Sequence, residues 1–247
     1  MDGPLRRQDR RIATTYLDAG IGRPEQYVTI YSGVETAKYL DRSARDACRR
    51  ELGFRNQDLV AVWIGRLNRQ KDPVTCVRAA KLLADRFPQM YFLMVGDDPL
   101  GEDLEEDVRR TIEELGVGAK VRLLGYRADV NRILAAADLV LHTSLYEGLG
   151  RSVVETMLAG TPLVATAVDG VREAVVSGER GGLLVPPKNP TALAEAAVRL
   201  ISEPSLAERV TVAGRAWARE RFAVEKMVTS IDRLYQELWQ ARQKGSR

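Results

Sequence analysis

The sequence has few of the residues that build metal sites and disulfide frameworks. Its 247 residues include one histidine, His142, and two cysteines, Cys48 and Cys76. These are too few for a structural zinc site or a disulfide scaffold. No apolar run approaches the roughly 20 residues that a membrane-spanning helix needs, and the N-terminus lacks the apolar segment of a signal peptide. We therefore expect a cytoplasmic protein.

An excess of charge of one sign is also absent. The 37 basic residues nearly balance the 34 acidic ones, the formal net charge is +3, and the two signs are interspersed along most of the chain. Domains that bind nucleic acid usually carry a strong basic excess, so the composition gives no support to a nucleic-acid partner. With 45% hydrophobic and 29% charged residues, the chain has the composition of a globular protein of one large or two small domains.

Short apolar segments alternate with helical patterns through the middle of the chain. The predicted strands are Tyr27–Tyr31, Leu59–Ile64, Tyr91–Val95, Val121–Leu124, Leu139–His142, Pro162–Ala165 and Gly182–Val185. The predicted helices are Pro73–Phe87, Leu104–Leu115, Val130–Ala136, Ser152–Ala159 and Thr191–Ile201. Nearly continuous apolar strands are typical of parallel sheets covered on both faces. The alternation predicts an α/β fold with a doubly wound, Rossmann-like parallel sheet, in which ligands bind at the carboxyl ends of the strands.

The two ends of the chain differ from this middle. Residues 1–26 contain no clear strand, and we interpret them as a connecting segment; it carries Arg6, Arg7, Arg10 and Arg11 near its start. From Pro204 onward the pattern is purely helical. Apolar residues spaced for one face of a long terminal helix are Phe222, Met227, Ile231, Leu234 and Leu238. We therefore divide the chain into a connecting segment (1–26), a Rossmann-like domain (27–221) and a terminal helix (222–247).

The most informative stretch is EGLGRSVVE, which begins at Glu147 and ends at Glu155. Between the two acids, its loop and first helical turn contain Gly148, Leu149, Gly150, Arg151 and Ser152. A glycine loop between a strand and a helix presents backbone N–H groups to an anion or a sugar. Glu155 alone is better explained by the helix dipole, which favours an acid near the N-terminus by about 0.3–1 kcal/mol. The pair of glutamates around two glycines favours a site for a phosphorylated, hydroxyl-rich ligand.

A basic loop follows the predicted strand Leu59–Ile64. Arg66 and Lys71 lie between that strand and the Asp72-Pro73 helix start, and both side chains suit phosphate oxygens. They could converge on a pyrophosphate, although an isolated Arg-x4-Lys is more often a solvated turn. The dinucleotide fingerprint G-x-G-x-x-G is absent from this loop, which argues against a nicotinamide cofactor.

Other polar groups follow further strands. Tyr126 and Arg127 could stack on a nucleobase, or they could form a surface turn that leads to a helix cap at Asp129. His142 ends its strand near the same edge and could line the ligand site. The acids that could suggest a metal are Asp97, Asp98, Glu102, Asp103, Glu105 and Glu106. Acids at a helix start usually interact with the helix dipole, so we expect no metal there.

Taken in order, these motifs resemble a known family. The matching segments are Ser32–Glu35, Gly65–Leu67 with Lys71, Val95–Asp97, Leu124–Val130, Ala136–Asp138, Glu147–Glu155, Ala159–Thr166 and Gly181–Pro187. They resemble the C-terminal, donor-binding domain of retaining GT-B glycosyltransferases of glycosyltransferase family 4. The likeness covers roughly residues 20–225. Two glutamates with seven residues between them, combined with an Arg/Lys loop, are the most specific part of the signature.

The resemblance implies a role for each residue at the proposed reaction centre. Arg66 and Lys71 match the basic pair that neutralises the donor diphosphate. Glu147 matches the acid that contacts the donor sugar, beside the backbone amides of Gly148 to Arg151. These three side chains form the expected catalytic set, with Glu147 as a positioning residue more than a nucleophile.

The resemblance also assigns residues to the rest of the donor. Glu155 matches the acid that binds the ribose hydroxyls, and Tyr126 and Arg127 fall where the family holds the base. Gly33 belongs to a motif whose first residue, Ser32, is commonly Asn in the family, and we place Gly33 with the substrate-binding residues. The family transfers the sugar with retention of configuration and without a catalytic metal. No cofactor beyond the nucleotide diphosphate sugar is therefore implied.

A complete GT-B enzyme also has an N-terminal Rossmann-like domain that carries the acceptor site, and the first residues of this sequence resemble only the end of such a domain. We therefore expect the donor-binding half of a hexosyltransferase that uses a UDP- or GDP-sugar and a saccharide or lipid-linked acceptor. The N-terminal domain would be its partner, and peripheral membrane contact of the full-length enzyme is left open. One alternative is a non-catalytic module that pairs in trans with an acceptor-domain chain. A less favoured one is a nucleotide-sugar epimerase.

Overall fold

A computed structural model describes residues 16–98, 101, 104–175 and 181–245. Four arginines near the start of the connecting segment (Arg6, Arg7, Arg10 and Arg11) and the acids Glu102 and Asp103 lie outside these ranges.

A six-stranded parallel sheet forms the centre of the fold. Its strands are β1 Leu59–Ile64, β2 Met90–Val95, β3 Val121–Leu123, β4 Leu139–His142, β5 Leu163–Thr166 and β6 Leu183–Val185. They lie in the order β3-β2-β1-β4-β5-β6, and each neighbouring pair is parallel. This is the order of a doubly wound Rossmann sheet, with its topological switch point between β1 and β4. The fold predicted from the sequence is confirmed.

Helices flank the sheet. In chain order they are α1 Ala37–Leu40, α2 Arg45–Glu51, α3 Pro73–Arg86, α4 Leu104–Glu114, α5 Val130–Ala136, α6 Arg151–Ala159, α7 Asp169–Ala174, α8 Pro190–Ser202, α9 Pro204–Arg221 and α10 Val224–Gly245. The bounds predicted for the six strands from β1 to β6, and for α3 to α6 and α8, differ from these by at most one residue at either end. Within the described ranges, no helix combines the length and the apolar character needed to cross a bilayer.

The continuous apolar strands are explained by burial on both faces of the sheet. In β1, Val60 and Val62 pack into one core cluster, whereas Ala61 and Trp63 pack into the cluster on the opposite face. Successive side chains of a strand point to opposite faces, so a strand covered on both sides must be apolar at every position. The sequence pattern and the layered fold therefore have the same cause.

The prediction of a strand at Tyr27–Tyr31 is wrong. Residues 27–33, all of them described, have no regular secondary structure, and Val28 is exposed. A single bridge forms only at Val34, whose N–H donates to Phe222 O at 2.8 Å and which pairs with Ala223. β-Branched and aromatic residues favour a strand, but a strand also needs a neighbour to pair with. Here the segment instead runs past the junction of α9 and α10.

The terminal helix also begins later than predicted. Phe222 lies between α9 and α10 and is buried, with 1% of its surface exposed, so it belongs to the core of the domain. The remaining helix, α10, has large apolar side chains that are exposed to solvent: Val228, Tyr235, Leu238 and Trp239. Exposed apolar surface of this extent is typical of an interaction surface.

Arginine side chains bind the carbonyl groups at the C-terminal ends of two helices. Arg42, Arg45 and Arg49 donate to the carbonyls of residues 135–137 at the end of α5, at 3.0–3.4 Å. Arg42 and Arg215 donate to the carbonyl of Ala159 at the end of α6. The last carbonyls of a helix have no intrahelical donor and carry partial negative charge. Cationic donors therefore stabilise both helix ends.

Arg49 connects this cluster to the sheet. Its buried guanidinium donates to the Asp138 carboxylate at 3.1 Å and to the backbone carbonyl of Asp58. Asp138 in turn accepts a hydrogen bond from the Val60 N–H of β1 at 2.8 Å. Removal of Arg49 would take the donor from the Asp58 carbonyl and leave Arg45, which also pairs with Asp138, as the arginine that binds this carboxylate.

We expect Arg49→Met to lower the free energy of unfolding by about 2 kcal/mol, because the Asp58 carbonyl loses its buried donor and Asp138 loses one of its two arginine partners. Methionine keeps much of the apolar stem, so the loss reports the guanidinium. The measurement is urea denaturation. Arg50→Met, at the exposed neighbouring position, should change stability by no more than about 0.5 kcal/mol. Equal effects of the two substitutions would contradict the assignment.

Candidate functional site

Glycines bring the carboxyl ends of β1, β2 and β3 together. The Gly65 N–H donates to Val95 O at 3.0 Å, and the Gly96 N–H donates to Gly125 O at 2.8 Å. Gly96 has a φ of 135°, and a Cβ at this position would lie only 1.8 Å from Gly65 O. Only glycine allows the two loops to approach this closely. The basic loop and the Tyr126 turn therefore leave the sheet at one edge.

The basic loop packs against the loop that follows β4. Thr143 Oγ1 donates to Lys71 O at 2.7 Å, and the Leu145 N–H donates to Gln70 O at 2.8 Å. The next helix begins as predicted, because Asp72 is the N-cap of α3 and its carboxylate accepts from the Thr75 N–H. These contacts fix the path of the loop on both sides of Lys71.

Lys71 and Glu147 form an ion pair in the interior of the site. Their side chains are 15% and 7% exposed, and Lys71 Nζ donates to Glu147 Oε1. Two more groups surround the same oxygen: Ser144 Oγ donates to it at 2.7 Å, and His142 Nε2 lies 3.2 Å away. The structure thus brings together two residues of the predicted catalytic set, whereas Arg66 remains exposed, with a 3.4 Å contact to Gln70.

This environment determines the protonation states of Glu147 and His142. Burial by itself raises the pKa of Glu147, but the hydrogen bonds from His142, Lys71 and Ser144 and the charge of Lys71 outweigh it and lower the pKa to about 2. Burial lowers the pKa of His142 below its ordinary value, against the opposing effect of Glu147. At neutral pH the site therefore contains a carboxylate and a neutral imidazole.

The glycine loop leads directly into α6. Gly150 is the N-cap residue of α6 and has a left-handed backbone conformation, with a φ of 72°. Gly148 is exposed, and its carbonyl lies against Gly170 of α7, where a Cβ would come within 2.3 Å of Gly148 O. The half-buried Leu149 packs against the core between the two glycines. The Val153 and Val154 N–H groups donate to Gly150 O at 2.9 and 3.2 Å, so the amides of α6 that precede these first helical bonds are those of Arg151 and Ser152.

Glu155 lies further along α6 and has partners of its own. Its carboxylate is almost buried and accepts a hydrogen bond from Arg151 Nε at 3.0 Å. Burial, together with the neighbouring Glu155 carboxylate, raises the pKa of Tyr39. Ser152 Oγ is buried and has no hydrogen-bond partner within the described ranges. The second glutamate thus forms a cluster with Arg151 and Tyr39.

The other predicted site residues lie elsewhere. The Gly33 N–H donates to Met227 Sδ at 3.1 Å, at the start of α10. Arg127 forms two hydrogen bonds with the Asp129 carboxylate, at 2.8 and 2.7 Å, and Tyr126 is 74% exposed. Asp129 occupies the N-cap position of α5, but its side chain makes no capping hydrogen bond there. None of the contacts among described residues joins these groups to Glu147.

Sequence reasoning missed Ser144 and Tyr39. Ser144 is three residues before Glu147, and Tyr39 follows the Ser32–Glu35 motif. Neither residue is charged at neutral pH or part of a glycine-rich loop, so the sequence pattern does not mark them as site residues. Among the residues that the structure describes, no group of three or more His, Cys, Asp and Glu side chains is arranged to hold a metal ion.

Comparison with known proteins places this geometry in context. Residues 44–217 match the family described as Glycosyl transferases group 1. The D-inositol 3-phosphate glycosyltransferase of Corynebacterium jeikeium (strain K411) is 33% identical over 210 residues, which cover 83% of this chain and 49% of that protein. The putative glycosyltransferase EpsD of Bacillus subtilis (strain 168) is 29% identical over 205 residues, covering 82% of this chain and 52% of EpsD. This chain therefore spans about half the length of these relatives.

A solved structure resembles the fold closely. The crystal structure of Anabaena Alr3699/HepE in complex with UDP and glucose superposes with a TM-score of 0.85 at 31% sequence identity. The superposition covers 93% of this chain and 61% of the Anabaena chain.

We expect Gly96→Ala to be much more destabilising than Gly116→Ala. Both glycines have positive φ, but a Cβ at Gly116 meets no atom within 4 Å, whereas one at Gly96 overlaps Gly65 O. Gly116→Ala should therefore lower the free energy of unfolding only by the cost of a left-handed backbone for alanine, about 1–2 kcal/mol. Gly96→Ala should cost at least about 2 kcal/mol more, because the backbone must shift. Equal losses in urea denaturation would refute the close approach.

The low pKa of Glu147 predicts a pH dependence of stability. With a pKa of about 2 in the folded chain and 4.5 as its ordinary value, this carboxyl contributes stability that is present above about pH 4.5 and is lost as the pH falls toward 2. Between pH 5 and pH 3, the free energy of unfolding should fall by about 2 kcal/mol less in Glu147→Gln than in the wild type. Glu113→Gln, at an exposed position, is the control. Parallel wild-type and Glu147→Gln curves would contradict the assignment.

Proposed function

We propose that this chain, which belongs to the group 1 glycosyl transferases, binds a nucleotide diphosphate sugar as the donor half of a retaining hexosyltransferase of family 4. The whole enzyme would transfer a hexose from a UDP- or GDP-sugar to a saccharide or lipid-linked acceptor. The observation that carries the proposal is the convergence of Lys71, Glu147 and the N-terminus of α6 at the carboxyl edge of the sheet. Anionic, hydroxyl-rich ligands fit such an edge.

The diphosphate would have three sources of positive potential. Arg66 is exposed at the mouth of the basic loop, and Lys71 lies deeper beside Glu147. The N-terminal amides of α6 add the positive end of a helix dipole. The crystal structure of the Anabaena relative contains UDP and glucose, which supports a ligand of this class.

The two glutamates would bind different parts of the donor. Glu147 is ionised at neutral pH, so it acts as a hydrogen-bond acceptor for sugar hydroxyls and not as a general acid. Glu155 would accept hydrogen bonds from the ribose hydroxyls, after Arg151 or Tyr39 has moved away from its carboxylate. Tyr126 and Arg127 would hold the base. Gly33 would contact the donor only through its backbone atoms.

The chemical step that we propose is that of a retaining transferase. The bond between the anomeric carbon and the diphosphate oxygen breaks, and the acceptor hydroxyl oxygen forms a bond to the same face of that carbon. The acceptor proton passes to the leaving diphosphate. Negative charge grows on the diphosphate, and Arg66, Lys71 and the α6 amides stabilise it electrostatically. These residues perform this role without requiring a metal ion or a further cofactor.

The other half of the site would come from a second domain. We propose that residues 1–26 connect to this domain and that 27–221 form the donor domain. The terminal segment, 222–247, would return to the second domain, with the exposed apolar side chains of α10 packing against it. Transfer requires the closed cleft between the two halves, so the isolated chain would bind nucleotide but transfer sugar poorly. The same exposed face also suits the alternative, in which the acceptor domain is a separate chain that binds in trans.

Isothermal titration calorimetry with UDP and GDP tests the proposal. We expect the wild-type chain to bind at least one of them. Arg66→Ala should weaken binding several-fold, and the double substitution with Lys71→Ala at least tenfold, because charge-assisted hydrogen bonds to phosphate are lost. Arg78→Ala, an exposed arginine on α3, should leave the affinity unchanged. Absence of binding to both nucleotides, or equal binding by the double variant, would overturn the proposal.

A further inference from the structure

Three donors converge on a single oxygen of Glu147. Lys71 Nζ and Ser144 Oγ donate to Oε1, and His142 Nε2 lies 3.2 Å from the same atom. The hydrogen bonds that Glu147 receives from described side chains all end on Oε1. The carboxylate is thus held through one oxygen, and the second oxygen, Oε2, is left to accept from another molecule.

The geometry also assigns the tautomer of His142. The imidazole is buried and neutral, so only one of its nitrogens carries a proton. Nε2 lies 3.2 Å from Glu147 Oε1 and 3.1 Å from Ser144 Oγ. Because Ser144 gives its one hydroxyl proton to Oε1 at 2.7 Å, a bare Nε2 would face two acceptors, whereas a protonated Nε2 donates to them. Nδ1 is then the bare nitrogen, and it has no hydrogen-bond partner among the described residues. A buried acceptor without a partner is costly, and the contacts of Nε2 with Glu147 and Ser144 offset that cost in this ring orientation.

The groups that hold Oε1 are mounted on a rigid part of the fold. His142 is the last residue of β4, and Ser144 is completely buried two residues later. Thr166 Oγ1, at the end of β5, donates to Ser144 O at 2.6 Å. Trp63 Nε1 donates to the intervening Thr143 at 2.9 Å. Functional groups are positioned most accurately by such supporting contacts on regular elements.

We propose that His142 and Ser144 are positioning residues: they hold Oε1 of Glu147 so that Oε2 accepts a hydrogen bond from a hydroxyl of the donor sugar. The inference rests on the proposed function of this site. It adds that the affinity for the sugar, as distinct from that for the nucleotide, depends on two side chains that do not touch the ligand. Lys71 shares the same oxygen but also faces the diphosphate, so its removal would not separate the two contributions.

The test compares His142→Asn with His142→Gln. The amide nitrogen of glutamine reaches the position of Nε2 and can donate to Glu147, whereas that of asparagine reaches only the position of Nδ1. Calorimetry gives the dissociation constants for UDP and UDP-glucose, or for GDP and GDP-mannose if the wild type binds GDP. The quantity of interest is the dissociation constant of the nucleotide sugar divided by that of the nucleotide.

In His142→Asn we expect this ratio to rise about tenfold, while the dissociation constant of the nucleotide stays within about twofold of wild type. His142→Gln should restore the ratio to within about threefold. Ser144→Ala is the second variant, and it should raise the ratio in the same direction. It keeps the proposal open to refutation if His142→Asn does not fold.

Other outcomes overturn the inference. If His142→Asn and Ser144→Ala weaken nucleotide and nucleotide sugar by equal factors, the two residues are only structural. A wild-type ratio of one, or a glutamine variant that behaves like asparagine, would refute the positioning of Oε2. Failure of the wild type to bind any nucleotide would instead refute the proposed function itself.

Discussion

The buried ion pair between Lys71 and Glu147 joins the two halves of the sheet where the strand order reverses. Lys71 follows β1 and Glu147 follows β4, and these neighbouring strands flank the topological switch point. A buried pair contributes little net stability, because desolvation offsets much of the attraction. The fold nevertheless surrounds it with a serine, a histidine and two tightly packed loops. This arrangement of polar groups around the ion pair is explained by ligand binding better than by stability.

Different charged groups lie at the two edges of the sheet, near the two ends of α6. At the carboxyl edge, the N-terminus of α6 and the basic loop create a positive environment for an anion. At the other edge, arginines satisfy the C-terminal carbonyls of α5 and α6, and Asp138 couples them to β1. The same helix, α6, therefore has its dipole matched by cationic side chains at one end and left available to a ligand at the other.

Much of the fold could be predicted from the sequence because its determinants are local or periodic. Strands such as Leu59–Ile64 read as continuous apolar runs, and the Asp72-Pro73 pair marks the start of α3. The error at Tyr27–Tyr31 has a non-local cause: its β-branched and aromatic residues favour a strand, but none of the strands that the structure describes pairs with it. Phe222 was likewise assigned to the terminal helix by spacing, although its burial places it in the core.

For the site, the sequence alone determined which chemistry was available: two glutamates around a glycine loop, a basic loop and a histidine at a strand end. Only the tertiary structure decided which of these groups meet. Lys71 and Glu147 are 76 residues apart, and their contact depends on the pairing of β1 with β4. The roles that we propose for Ser144 and His142 became visible only with their burial and their contacts to Glu147. Motif spacing is set along the chain, whereas desolvation and convergence on one carboxylate oxygen arise when distant segments pack together.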